Sequence, residues 1–157
     1  MRHRFIVADS RKCIGCLSCE LACAAANAGI RFEEAYTTKR PLFSRNRVIK
    51  IDGKTAPLQC MHCEDAPCVS VCPHGVIETT SDTVRLNEEA CVGCGTCVLV
   101  CPYGALALNP QKGRLIAQKC NLCFHLPTGP SCVQVCTTDA IRVADYDTFE
   151  TLQADKG

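Results

Sequence analysis

Sixteen cysteines arranged in four groups of four constrain this 157-residue chain more than any other feature. The groups are Cys13, Cys16, Cys19 and Cys23; Cys60, Cys63, Cys68 and Cys72; Cys91, Cys94, Cys97 and Cys101; and Cys120, Cys123, Cys132 and Cys136. Groups one and three have the spacing C-x2-C-x2-C-x3-C, and group three continues into Pro102, a run that supplies thiolates to cubane [4Fe–4S] clusters. Groups two and four keep the first C-x2-C and the last x3-C and lengthen only the middle gap. In such a run the first three cysteines hold one cluster from a concave loop. The fourth lies about one helical turn further on, points away from that loop and ligates a neighbouring cluster. Four groups therefore predict four clusters in two cross-linked pairs.

Two other uses of cysteine fit the pattern less well. A disulfide scaffold requires an oxidising compartment, and Met1–Asp9 has no apolar segment of the length a secretory signal needs. Structural zinc takes C-x2-C knuckles set a dozen or more residues apart, whereas here a third cysteine crowds behind each pair.

The cofactor also reorganises the charge balance. The formal charge is +1 with the cysteines counted as neutral. Each oxidised cluster with its four thiolates adds about −2, so the loaded chain stands near −7, and full reduction takes it to about −11. The 17 Lys and Arg residues are then largely counter-charge to the clusters, which argues against a nucleic-acid-binding role. Only 5% of residues are aromatic and there is no Trp, so clusters must fill interior volume that side chains usually fill, and metal binding and folding are one event. No apolar stretch approaches the roughly 20 residues that cross a bilayer, and no lipidation or twin-Arg signal is visible. The expectation is a cytoplasmic protein without direct membrane insertion.

The chain reads as an internal repeat of strand, cysteine loop, short helix ending near the fourth cysteine, and strand. Phe5-Ile6-Val7 leads into group one, and Leu17 to Ala28 forms an Ala-rich helix closed by Gly29. Val76–Thr80 and Thr83–Leu86 flank Ser81-Asp82 as a hairpin, Ala105–Leu108 and Arg114–Ala117 flank Asn109–Gly113 as another, and Ile141-Arg142-Val143 closes the series. The predicted class is α+β, with bacterial ferredoxin-like domains of short helices and two-stranded hairpins around four [4Fe–4S] clusters. Sequential pairing of the groups and nested pairing, with two and three inside one and four, are both simple topologies. Pro follows the last cysteine of groups two and three, at Pro73 and Pro102, where groups one and four have Ala24 and Thr137. Lys precedes the first cysteine of groups one and four, at Lys12 and Lys119, where the middle groups have Gln59 and Ala90. Both marks sort the groups into inner and outer. Spacing alone does not decide, because groups three and four are as far apart as groups two and three.

With these features the chain resembles the four-cluster ferredoxin-like electron-transfer subunits of molybdenum and tungsten oxidoreductases (tungsten aldehyde oxidoreductase and formate dehydrogenase among them), formate hydrogenlyase, hydrogenases and carbon monoxide dehydrogenases. The resemblance covers essentially the whole chain. It is carried by the four cysteine groups and by Lys119-Cys120-Asn121-Leu122-Cys123, Cys101-Pro102-Tyr103-Gly104-Ala105 and Cys63-Glu64-Asp65-Ala66-Pro67-Cys68. It implies nested pairing. One outer cluster takes Cys13, Cys16, Cys19 and Cys136, and the other takes Cys23, Cys120, Cys123 and Cys132. The inner clusters take Cys60, Cys63, Cys68 and Cys101, and Cys72, Cys91, Cys94 and Cys97. The corresponding halves are 1–50 with 115–157 outside and 51–114 inside. The chain ends about twenty residues after Cys136, without the long extension or anchor of several relatives, which favours a complex away from the membrane.

The remaining candidates are weaker. His62 lies inside a cysteine loop, but every cluster already has four thiolates, so packing or a hydrogen bond toward sulfur is its expected role. His3, His74 and His125 have no ligand partners at suitable spacing and read as surface or loop residues. Gly93-Cys94-Gly95 lacks the strand, helix and third glycine of a nucleotide site, and its glycines are expected to bring backbone N–H groups to cluster sulfur. Glu33 and Glu34 read as solvated. The connector from Asn27 to Arg47 mixes Phe32, Tyr36, Leu42 and Phe43 with Arg31, Lys39, Arg40, Arg45 and Arg47, which suits either an interface or a wrap over the outer half.

No nucleophile or acid–base pair is left over, so the chain is expected to be a non-catalytic subunit that relays single electrons between a larger catalytic oxidoreductase subunit and an acceptor in anaerobic metabolism. Further copies of itself, or a flavin- or NAD-linked subunit, are additional expected partners. A free-standing polyferredoxin shuttle is the alternative, and a cluster that activates substrate directly would need an iron lacking cysteine, which sixteen ligands leave no room for.

Overall fold

The computed structural model describes residues 3–154. Eight short strands and five helices follow the chain order β1 (Arg4–Ala8), α1 (Ser18–Ala28), β2 (Arg47–Ile51), β3 (Lys54–Leu58), α2 (Pro67–Ser70), β4 (Ile77–Thr79), β5 (Val84–Leu86), α3 (Thr96–Val100), β6 (Ala107–Gln111), β7 (Arg114–Gln118), α4 (Ser131–Gln134), β8 (Ile141–Asp145) and α5 (Tyr146–Ala154). A 3-10 turn at Glu33–Tyr36 lies in the connector. The α+β class agrees with the sequence reading.

The strands form four separate antiparallel pairs, β1–β8, β2–β3, β4–β5 and β6–β7. Three are local hairpins. The β2–β3 and β6–β7 turns are the dipeptides Asp52-Gly53 and Lys112-Gly113, each with φ of +49° and then +79°, the double left-handed geometry that matches strand twist. The fourth pair joins the two ends of the chain, with Ile6 opposite Val143. A two-stranded ribbon is marginal alone in water, so each pair depends on the core beneath it.

That core is built partly of thiols, since nine of the sixteen cysteines are buried and take places that aliphatic side chains usually fill. One apolar cluster joins Cys68, Cys91 and Cys97 to Ile77, Val84, Leu106 and Ile116. A second joins Cys19, Cys60, Cys120 and Cys132 to Ile6, Leu122 and Ile141. Helix α1 packs on α4, and α2 packs on α3. Alanines at 22, 24 and 25 are buried on α1 and keep its surface low, while Gly29 closes the helix at φ +67° with its N–H returned to Ala25 and Ala26 carbonyls.

Several features depart from the sequence reading. Strand β6 extends through Pro110 to Gln111, because Pro110 faces Leu115 in an isolated two-stranded sheet where a missing N–H costs no ladder bond on the outer side. The β2–β3 hairpin follows the connector, in a stretch to which the sequence reading assigned no strands. Helix α5 was not foreseen; Tyr146 and Phe149 on it pack against Phe5, with ring centroids 4.8 and 5.6 Å away. His3, expected at the surface, is buried at 4% exposure. Its ring nitrogens lie 2.6 Å from the His62 carbonyl and 3.1 Å from the Thr80 carbonyl. His74 and His125 are exposed, as expected.

Candidate metal centre

Each C-x2-C loop turns through a left-handed residue just before its second cysteine: Gly15 at φ +70°, His62 at +46°, Gly93 at +73° and Leu122 at +54°. This conformation turns successive N–H groups to the inside of the loop, forming a concave surface suited to anions. The N–H of His62, Gly93 and Leu122 each lies 3.4 Å from the sulfur of the first cysteine of its loop, Cys60, Cys91 and Cys120. The exits repeat as well. The N–H four residues after the last cysteine reaches its sulfur at 3.4 Å in Ala105–Cys101 and 3.3 Å in Ala140–Cys136. Thiolate charge is favoured by such donors.

Two cavities each open onto four thiols from different groups. One is lined by Cys13, Cys16, Cys19 and Cys136, together with Leu17, Val48 and Ile141. The other is lined by Cys72, Cys91, Cys94 and Cys97, together with Val76, Leu86 and Ala117. The other eight cysteines are related by their electrostatics. Burial pushes the Cys68 thiol up to about 11, with Cys60, Cys101 and Cys63 adding repulsion. Burial also raises Cys132, with Cys120, Cys23, Cys123 and Cys19 adding to the shift. Cys120 is pushed up to about 12, mainly by burial, with Cys23 and Cys60 adding. Crowded thiols of this kind are costly to ionise together without a cation among them.

Among the described residues no three Cys, His, Asp or Glu side chains converge as a site for a single metal ion. A cubane holds its four thiolates on four separate irons, and it asks instead for thiols spread around a shared cavity with N–H donors on the sulfurs. The residues present fit that group.

Exposure differs sharply along the set. Cys16 and Cys94 are exposed, and the other fourteen are buried or half-buried. A hydroxyl two residues further on holds each exposed thiol below its ordinary value, Ser18 beside Cys16 and Thr96 beside Cys94. Apolar side chains stand around both: Ile14 and Leu17 next to Cys16, Val92 next to Cys94, all more than half exposed.

His62 lies in a buried polar network. Its Nδ1 accepts from the Val84 N–H at 3.1 Å, which leaves the proton of a neutral ring on Nε2, and Nε2 is buried without a protein partner. Burial, reinforced by the Lys119 ammonium, holds the ring down to about 3. The connector contributes Arg45, whose N–H reaches Cys23 sulfur at 3.3 Å and whose guanidinium pairs with Glu88 at 2.6 Å, both side chains largely buried. Glu33 and Glu34 are exposed, and Glu34 pairs with Arg31.

Comparison with known proteins agrees with this chemistry. Residues 51–146 match a family model described as a 4Fe-4S dicluster domain, and residues 12–76 match a second model of the same description. The chain belongs to the 4Fe-4S dicluster family. An iron-sulfur protein of Rhodospirillum rubrum is 40% identical, covering 92% of this chain and 83% of its own length. The electron transport protein HydN of Escherichia coli (strain K12) is 38% identical, covering 98% of this chain and 95% of its own. Formate hydrogenlyase subunit 2 of the same strain is 33% identical, covering 91% and 82% respectively. The two dicluster matches and the sixteen cysteines make this an electron-transfer protein carrying multiple [4Fe–4S] clusters. No helix among the described residues is long and apolar enough to cross a membrane.

Proposed function

We propose that the chain is a non-catalytic relay subunit with four [4Fe–4S] clusters, passing single electrons between a larger catalytic oxidoreductase subunit and an acceptor. When bound, the clusters supply reversible one-electron uptake and release; the protein holds, shields and orders them. The nested quartets are the ligand sets in this reading. Cys13, Cys16, Cys19 and Cys136 hold one end site, and Cys72, Cys91, Cys94 and Cys97 hold the other. Between them, Cys23, Cys120, Cys123 and Cys132 adjoin Cys60, Cys63, Cys68 and Cys101, a reading supported by the place of Cys60, Cys120 and Cys132 in one apolar cluster.

The observation that carries the proposal is the exposure pattern. The two exposed cysteines belong to the two end quartets, while the middle quartets have none. A relay needs an entry and an exit near the surface and shielded sites between them. Apolar residues around Cys16 and Cys94 suit a partner surface that excludes water as it brings its own redox centre close. The named relatives, a formate hydrogenlyase subunit among them, support a catalytic partner as the class of protein that docks there.

Two measurements test this. Anaerobically isolated protein should contain about sixteen iron and as much acid-labile sulfide per chain; a value near eight contradicts the four-cluster reading. Native mass measurement of the endogenous complex should find the 17.0 kDa chain bound to a larger subunit. A lone monomer would point to a free shuttle instead.

A further inference from the structure

Lys119 is 2% exposed, among the most completely buried side chains of the molecule. Its Nζ donates to two backbone carbonyls, Val84 O at 2.5 Å and Cys120 O at 3.0 Å, and no carboxylate among the described residues is paired with it. An ammonium removed from water without an anion is strongly disfavoured, and two carbonyl dipoles offset only part of that cost. The repeat makes the choice of position informative. Lys12 stands at the equivalent place before group one and is exposed, so sequence pattern alone does not bury this lysine.

The two carbonyls lead to different quartets. Val84, whose carbonyl accepts from Lys119, donates its own N–H to His62 Nδ1 inside the Cys60–Cys63 loop, and the second carbonyl is that of Cys120. Cys60 and Cys63 belong to one middle quartet and Cys120 to the other. Val84 lies on β5 within the apolar cluster of the inner groups, while Cys120 opens group four. The ammonium therefore sits where the two middle sites meet.

We infer that Lys119 is a shared internal counter-charge for the two middle clusters, raising the reduction potentials of both relative to those at the ends. The inference rests on the four-cluster reading above. Its physical basis is that adding an electron to an anionic cluster is easier beside a buried cation, which solvent and salt screen weakly. Net charge and hydrogen bonding around the sulfurs are the levers by which a protein sets such potentials. Lys119 is a positioning and tuning residue in this sense, touching no substrate. A relay whose two middle sites are matched by one charge avoids an uphill step at its centre.

The test is a redox titration of the loaded full-length protein followed by electron paramagnetic resonance, with iron content determined on each sample. In Lys119→Met and Lys119→Gln, two of the four midpoint potentials should move down and the other two stay. Lys119→Arg should keep all four near the native values. Gln retains a donor for the carbonyls without the charge, so it separates electrostatics from packing. If neither neutral variant assembles full iron while Arg does, the requirement for charge is upheld. Failure of Arg together with both neutral variants shows a packing role and overturns the inference, as do unmoved potentials or an equal shift of all four. Wild-type protein with fewer than four clusters overturns the underlying reading, whereas four clusters with unmoved potentials overturn this inference alone.

Discussion

At the scale of single residues, the loops depend on backbone conformations that only some side chains tolerate. Gly93 is the most demanding position. A Cβ there would fall 2.1 Å from the Leu115 carbonyl oxygen, backbone that cannot move without opening β7. At Gly15, the equivalent place in group one, the nearest atom is the Thr55 methyl at 3.4 Å. Both glycines have positive φ, so Ala at Gly15 costs about 1–2 kcal/mol of backbone strain, and Ala at Gly93 adds a clash to that. Gly93→Ala should lose about a quarter of the iron, the share of one cluster in four, while Gly15→Ala keeps nearly all of it. Equal iron content in the two variants would show that the close approach is not limiting. The cysteines and this glycine pattern were legible in the sequence because C-x2-C is a local motif whose geometry is fixed within four residues. The burial of His3 was not, because its partners His62 and Thr80 are far along the chain and nothing near His3 announces them.

At the scale of elements, the ends of the chain are held by a sheet and a helix with little local signature. Strand β1 pairs with β8 across nearly the whole sequence, and periodicity can locate each strand without naming its partner. Helix α5 does carry a start signal, Asp145, whose Oδ1 accepts the Thr148 N–H at 2.8 Å, but its apolar pattern is sparse, and Tyr146 and Phe149 hold it against Phe5. The β2–β3 hairpin did carry a signal, Asp52-Gly53 between two runs of β-formers, in a stretch to which the sequence reading assigned no element. Phe5 is fully buried, so Phe5→Ala should cost about 3–4 kcal/mol and release α5. A thermal scan of the loaded protein should show a clear fall in Tm with iron content preserved, since Phe5 lines neither thiol cavity. Loss of iron along with stability would mean that the terminal sheet also supports the clusters.

At the scale of the molecule, folding and cofactor binding are coupled. Two of the three apolar clusters are built around cysteines and lie under isolated two-stranded sheets, so removal of iron by an anaerobic chelator should unfold the chain cooperatively rather than leave a native-like apoprotein. Loss of circular dichroism and proton chemical-shift dispersion on chelation is the expected result, and retention of both would show an apo fold that stands alone. The inner and outer marks in the sequence, Pro73 and Pro102 against Lys12 and Lys119, favour nested pairing. The contrasting fates of Lys12 and Lys119 were invisible in the sequence, because burial is a property of the assembled halves.

Diffraction from crystals of the loaded protein, collected at the iron absorption edge, tests the central claim most directly. The account predicts four cubane peaks in a row, with Cys136 bound to the iron held by Cys13, Cys16 and Cys19, and Cys23 bound to the iron held by Cys120, Cys123 and Cys132. Fewer than four peaks, or Cys136 on the iron held by Cys91, Cys94 and Cys97, would contradict it.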